Sequence, residues 1–221
     1  MNYRKILSSR EVRLKILNLL KWVPDKVMLP VQYKLQTGKS LNLKNPKRFT
    51  EKIQYYKINY RNQLLPICVD KYEVRNYIKD NNLSGILTKF YGVYNRGEDI
   101  NFDSLPDQFV IKTTDGGGGN NIIICRDKKD LNIPDTIKKL NSWLNVKNVN
   151  AGREWAYTGI KKSQIIIEEY LENELNPEAG IDDYKIFCFN GEPYCIVRDV
   201  DRYIGHKRNF YDVNWNNLHS E

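Results

Sequence analysis

From the N-terminus to about Ile78, apolar residues recur at helical spacing; beyond Ile86 they gather into short β-branched runs. Ser8-Ser9-Arg10-Glu11 has the form of a capping box. Val12, Ile16, Leu19 and Leu20 follow at helical spacing, with Arg13, Lys15 and Lys21 among them. A basic amphipathic helix of this kind can make a peripheral membrane contact, but such a stripe more often packs on its own chain, and packing is the expectation here. Thr37-Gly38 punctuates the next helix. Asn45-Pro46 opens another that runs through Phe49 and Ile53, with Asn as cap and Pro in the first turn. Asp70 with Glu73 caps a further helix along Val74, Tyr77 and Ile78.

The β-branched runs read as strands over Ile86 to Tyr94, Gln108 to Thr113, Asn121 to Cys125 and Gln164 to Leu171. Tyr184 to Asn190 and Tyr194 to Asp199 form a hairpin around Gly191-Glu192-Pro193, and Pro134 opens a helix reaching about Val146. Helices first, then strands with interspersed helices, argue for an α+β fold. The expected division is a helical region over 1–65, a nucleotide-binding lobe over 66–163, and part of a second lobe over 164–221.

One junction carries chemistry. Phe109-Val110-Ile111 bears Lys112 and then, after Thr113-Thr114-Asp115, meets four consecutive glycines, Gly116, Gly117, Gly118 and Gly119, before Ile122 to Ile124 resumes. Two strands joined by such a loop make a flexible flap whose backbone N–H groups can close on an anion, with a lysine at its base. Glycine runs also occur in plain linkers, but four between two strands are entropically costly unless the open backbone is used. Phosphate binding is therefore the favoured reading. It is no Walker loop, because no GxxxxGK[ST] is present and the glycines lead into a strand.

Composition narrows the partners. Thirty-five Lys and Arg against 27 Asp and Glu give a net charge of +8, which favours anions. No nucleic-acid motif accompanies it, and aromatics are not interleaved with basic residues on one element, so nucleic acid is not expected. Cys68, Cys125, Cys188 and Cys195 lie in apolar contexts without CxxC spacing and read as small buried hydrophobes of a reducing compartment. With only His206 and His219 beside them, no zinc set is expected. No apolar run approaches the ~20 residues that span a bilayer, and no secretory signal is recognisable. The expected location is cytoplasmic, with the inner face of the membrane as an option through the basic N-terminal helix.

Further candidates lie downstream. Glu168-Glu169-Tyr170-Leu171 ends the strongest strand, where a carboxylate or a peptide edge could accept an adenine amino group; an edge strand protected by charge is the alternative. Asp183 and Lys185 share a strand face. Asp199 and Asp201 form a DxD flanked by Arg198 and Arg202, a three-residue pattern that arises often by chance but can hold a divalent ion on a sugar nucleotide. His206-Lys207-Arg208 could receive an anionic substrate or belong to a solvated loop.

Taken in order, FVIKTTDGGGGNNI, IIIEEYL and DDYKIFCFNGEPYCIVR resemble the lysine-and-flap strands, the adenine hinge and the arginine-ended hairpin of the ATP-grasp superfamily. TGKSLNLKNPKRFTEKIQ, DKYEVRNYI, SLPDQFVIK, REWAY and HKRNFYDVNW resemble its branch associated with teichuronopeptide synthesis (TupA-like), often loosely described as glycosyltransferases. The resemblance implies a two-lobe fold and ATP held by Lys71, Lys112, Gly116 to Gly119, Glu168, Glu169, Tyr170, Leu171 and Asp183. It also implies Lys185 and Arg198 as catalytic residues. The implied activity is carboxylate–amine ligation through an acyl phosphate on an anionic cell-surface polysaccharide or its precursor. Magnesium is expected for the family, but its usual carboxylate ligands lie beyond Glu221, so the chain is expected to be truncated. A metal-dependent glycosyltransferase using Asp199 and Asp201, and a non-catalytic nucleotide-binding remnant, are the alternatives.

Overall fold

The computed structural model describes residues 9–117, 119, 121–145 and 152–220. They fall into two compact units, Met1–Glu169 and Tyr170–Glu221. Helices and two antiparallel sheets give the α+β class.

The first unit begins with α1 (Arg10–Leu19), where the Ser9 hydroxyl accepts the Val12 N–H, and α2 (Asp25–Thr37). Gly38 ends α2 in the left-handed conformation (φ 73°), the C-cap geometry that glycine adopts without a Cβ clash. The third helix, α3 (Phe49–Asn59), starts later than Asn45-Pro46 suggests. Glu51 reaches back to accept the N–H groups of Lys47 and Arg48 at 3.1 and 3.0 Å, so Arg48 is the cap and the Asn-Pro pair stays in the loop. Two short helices follow, α4 (Leu64–Val69) and α5 (Glu73–Asp80). In the turn between them Asp70 accepts the N–H groups of Tyr72 and Glu73, both at 2.9 Å.

The first sheet contains β1 (Phe90–Tyr94), β2 (Phe109–Thr113), β3 (Ile122–Cys125) and β4 (Ile165–Glu169) in the order β1-β4-β2-β3, all pairs antiparallel. Between β3 and β4 lie α6 (Ile133–Asn145) and the single turn α7 (Trp155–Thr158). The helix opened at Pro134 is thus present; its expected end at Val146 lies outside the described residues. β4 lies inside the sheet, between β1 and β2, and Ile165, Ile166 and Ile167 are all fully buried; one face lies on the core, and on the other Glu168 meets Arg75 of α5. It therefore belongs to the first sheet, although the sequence division begins a new lobe at residue 164. On the core face, Phe109, Ile111, Ile165, Ile167 and Cys125 pack with Leu140 of α6. The opposite face carries Val110, Lys112, Ile166 and Glu168, in keeping with strand alternation.

Thr113 lies on the core face, fully buried, and its hydroxyl has no hydrogen-bond partner among the described residues. Thr113→Val keeps the shape and removes the orphaned hydroxyl. It should stabilise the protein by about 1 kcal/mol in a denaturant melt; a loss of stability would mean that the hydroxyl is satisfied in solution.

The second unit is a meander of β5 (Asp183–Phe189), β6 (Glu192–Val200), β7 (Lys207–Tyr211) and β8 (Asn217–Ser220), paired in sequence order. The β5–β6 turn is Asn190-Gly191, both at positive φ (53° and 86°), the two-residue geometry that matches strand twist. Glu192 and Pro193 therefore belong to β6 and not to the turn, and a bulge at Phe187/Cys188 absorbs the irregularity. Of the cysteines only Cys125 is buried; Cys68 and Cys188 are exposed and Cys195 is half-buried, which corrects the expectation of four buried thiols.

Candidate nucleotide-phosphate site

Lys112 stands at the end of β2 on the face away from the core, where Ile166 and Ile122 are its strand neighbours. Its ammonium donates to Glu168 Oε2 at 2.7 Å. The other oxygen of Glu168 accepts from Arg75 Nη1 at 2.7 Å and lies 3.4 Å from the Thr88 hydroxyl. Arg75 projects from α5, gives its second nitrogen to Thr88 O at 2.6 Å, and rests its guanidinium 4.9 Å above the Phe90 ring, which stacks on Tyr72. Both charged ends of the Arg75–Glu168 pair are nearly sealed, with side-chain exposures of 8% and 10%, whereas Lys112 retains 30%. One buried carboxylate thus shares two cations, and the more exposed one faces outward.

Lys71 approaches from the α4–α5 turn. Its backbone N–H donates to Thr114 O at 3.0 Å, and its ammonium donates to the carbonyls of Gly116 and Thr114. Burial pulls its pKa below the usual 10.5, and the nearby Lys112 charge adds to the effect, against Asp115, Asp70 and Glu168. Two lysines from distant segments thus lie close enough near the root of the glycine loop for the charge of one to disfavour that of the other, a repulsion that a bound anion would relieve.

The loop is pinned at its base. Thr114 N donates to Gln164 O at 2.8 Å, Gln164 N donates back to the Thr114 hydroxyl, and Ser163 donates to Asp115 at 2.6 Å. Gly116 is buried, Gly117 and Gly119 are exposed, and Gly119 has φ 77°. Gly118 lies outside the described residues. Of the hinge residues, Glu169 exchanges hydrogen bonds with Lys89, N–H to carbonyl at 2.9 Å and carboxylate to N–H at 3.2 Å; Tyr170 donates its hydroxyl to Glu172, and Leu171 is half exposed.

Asp183, Lys185 and Arg198 all belong to the second unit, where Asp183 and Lys185 share one cluster and Arg198 lies on the opposite sheet face. Asp183, Asp199 and Arg208 stand opposite one another across β5, β6 and β7. Asp199 is nearly fully buried and accepts from Arg208 at 2.6 and 3.0 Å and from Lys185 at 2.6 Å, with His206 Nε2 3.2 Å away. Arg208 and then Lys185 hold its carboxyl far below the usual range. Burial opposes the charge of Lys185, but bonds from Asp183 and Asp199 outweigh it and raise its pKa. Arg198 points to the other face. It gives two nitrogens to Asp182 at 2.6 and 2.8 Å, which raises its pKa, and its guanidinium lies 5.7 Å from the Tyr184 ring centre.

The cluster titrates in a defined direction. Because the folded pKa of Asp199 is depressed below 3.8, its contribution to stability is full above that value and is lost as pH falls through the folded pKa. The melting-temperature advantage of the wild type over Asp199→Asn should therefore shrink as pH is lowered below 3.8. An advantage unchanged down to strong acid would mean that the ion pairs do not form.

Among the described residues, no group of three His, Cys, Asp or Glu could hold a metal. Both oxygens of Asp199 are taken by cations, and Asp201 pairs with Lys207 at 3.1 Å, so the DxD is neutralised from within.

Arg75 carries no signal of its own in the sequence that marks it as part of the site, whereas Arg208 is marked there only as part of a basic triplet. Arg75 follows Lys71 by four residues, a spacing that could have placed both on one side of a helix. Arg208 was in view within the basic triplet, but its partner lies across a strand pair that the sequence reading does not contain.

No curated protein and no solved structure matches the chain. A model of the family described as TupA-like ATPgrasp matches residues 51–221, which include both lysines, the glycine loop and the whole second unit, and the chain therefore belongs to the TupA-like ATP-grasp family.

Proposed function

We propose that the chain binds ATP with its phosphates between Lys71, Lys112 and the backbone N–H groups of the Gly116–Gly119 loop. The observation that carries this reading is the convergence of two lysines on one loop root, one of them with its charge disfavoured by burial and by the other. Glu168 acts through Lys112: held by Arg75, it fixes the ammonium's direction. Both its oxygens are engaged, so the adenine amino group is assigned to the peptide edge from Glu169 to Leu171.

The reaction proposed is carboxylate–amine ligation. The γ-phosphoryl group passes from ATP to a carboxylate oxygen, giving ADP and an acyl phosphate. An amine then attacks the acyl carbon, the new C–N bond expels inorganic phosphate, and the amine gives up a proton. Such transfer rests mainly on positioning and charge neutralisation, the work to which lysines and backbone donors are suited. By the family pattern DDYKIFCFNGEPYCIVR, Lys185 and Arg198 are the proposed catalytic residues and Asp183 a proposed nucleotide ligand; within the second unit, ion pairs with Asp199 and Asp182 hold the two cations in fixed directions. A carboxylated polysaccharide destined for the cell surface, acted on in the cytoplasm where ATP is supplied, is the proposed substrate class.

Calorimetric titration tests the nucleotide assignment. ATP should bind more tightly than GTP, whose O6 presents an acceptor where adenine presents a donor. Equal affinity for the two would remove adenine from the hinge, and no binding of either would remove the phosphate site.

A further inference from the structure

Among the described residues, much of the apolar stripe of α1 stays open to solvent, although Leu20 is half-buried. Val12, Ile16 and Leu19 are 43%, 38% and 74% exposed, and Trp22, in the connection to α2, is 77% exposed. The next helix repeats the arrangement. Met28, Leu29 and Tyr33 of α2 are buried, with the Tyr33 hydroxyl 3.0 Å from that of Thr50, while Val27, Val31 and Leu35 form a second exposed stripe at four-residue spacing. These stripes are held in place. Arg153, nearly fully buried, donates to Leu20 O at 2.7 Å, to Val23 O at 2.6 Å and to Asp25 at 2.9 Å, gripping the chain where α1 ends and α2 begins.

The charge around the stripes is one-sided. Between Ser9 and Lys39 the sequence has seven Lys and Arg against two Asp and Glu, a net +5 out of +8 for the whole chain. Asp25 is neutralised by Arg153. Lys15, Lys21, Lys26 and Lys34 are exposed and make no ion pair among the described residues. Exposed aliphatics, a tryptophan at the edge and a basic surround are the composition of a segment that lies in the headgroup region of an anionic bilayer. Neither helix can cross one, since no described helix is long and apolar enough. A second copy of the chain would bring the same positive charge to the contact and be repelled.

We propose that α1, Trp22 and the outer face of α2 form a docking surface for anionic lipid. The apolar side chains enter the interface and the lysines meet the headgroups. This assignment is independent of the nucleotide reading and stands or falls without it.

Vesicle flotation of the full chain tests it. Vesicles of phosphatidylcholine containing about one part in four of phosphatidylglycerol should carry the protein at least about tenfold more than phosphatidylcholine alone, and high salt should release most of it. Leu19→Glu with Trp22→Glu, both at exposed positions, should lower flotation by on the order of a hundredfold without changing the melting temperature. A charge-neutral pair of substitutions, Leu19→Ser with Trp22→Ser, separates loss of apolar contact from added repulsion and should also lower it at least about tenfold. Three results would overturn the proposal: no flotation with anionic vesicles, flotation unchanged in both double variants, or a concentration-dependent dimer in sedimentation that the double variants abolish.

Discussion

Glu168→Ala should destabilise the protein by about 3–5 kcal/mol, the scale of removing one partner from a buried ion pair. The carboxylate is the common acceptor of Arg75 and Lys112, and its loss leaves a guanidinium 8% exposed with, among the described residues, Thr88 O and the Phe90 face as its remaining partners. For a chain of this size the melting temperature should fall by roughly 6–20 °C. Glu168→Gln keeps an acceptor in place and should cost less. Removing both buried charges, as Glu168→Leu with Arg75→Leu, should recover most of the loss, because the residual penalty comes from the unpaired cation. Thermal and denaturant melts of the four proteins check the series. A cost under about 1 kcal/mol for Glu168→Ala would show that the pair is open to water and does not brace Lys112.

Lys112→Ala should weaken ATP binding by about 1.5–3 kcal/mol, or roughly ten- to a hundred-fold in Kd, the scale of a lost charge-assisted hydrogen bond to phosphate. Its effect on stability should be smaller than that of Glu168→Ala, because Lys112 is partly exposed and Arg75 still covers the carboxylate. The two variants therefore separate the roles: one residue mainly holds the fold of the site, the other mainly meets the ligand. Calorimetry on the folded variant is the check, and an unchanged affinity would take Lys112 out of the site.

Much of this was legible in the chain because it is local. Phe109 to Ile111 and Ile122 to Ile124 are β-branched or aromatic runs interrupted only by loop residues, so the hairpin, its glycines and the position of Lys112 follow from pattern. The Asp70–Glu73 cap and the Gly38 stop are equally local. What was missed depends on partners remote in sequence. Arg75 reads as an ordinary helix residue until Glu168 is brought to it across the sheet. The strands β7, KRNFY, and β8, NLHS, show no clean alternation of apolar and polar residues; β7 is half-buried and forms along the edge of β6, and the exposed β8 forms along the edge of β7. On α1 the apolar positions do recur at helical spacing, yet periodicity says only that one face is apolar and not what lies against it.

Hydrogen exchange across the segment from Thr113 to Asn121 tests the central assignment most directly. Adding ATP should slow exchange there and in the Lys71–Glu73 turn, because the loop donors and the turn that carries Lys71 close on the same phosphates. In Lys112→Ala this protection should be lost at the same ATP concentration. ATP that binds while leaving both segments unchanged, or equal protection in wild type and variant, would contradict the account and place the nucleotide elsewhere.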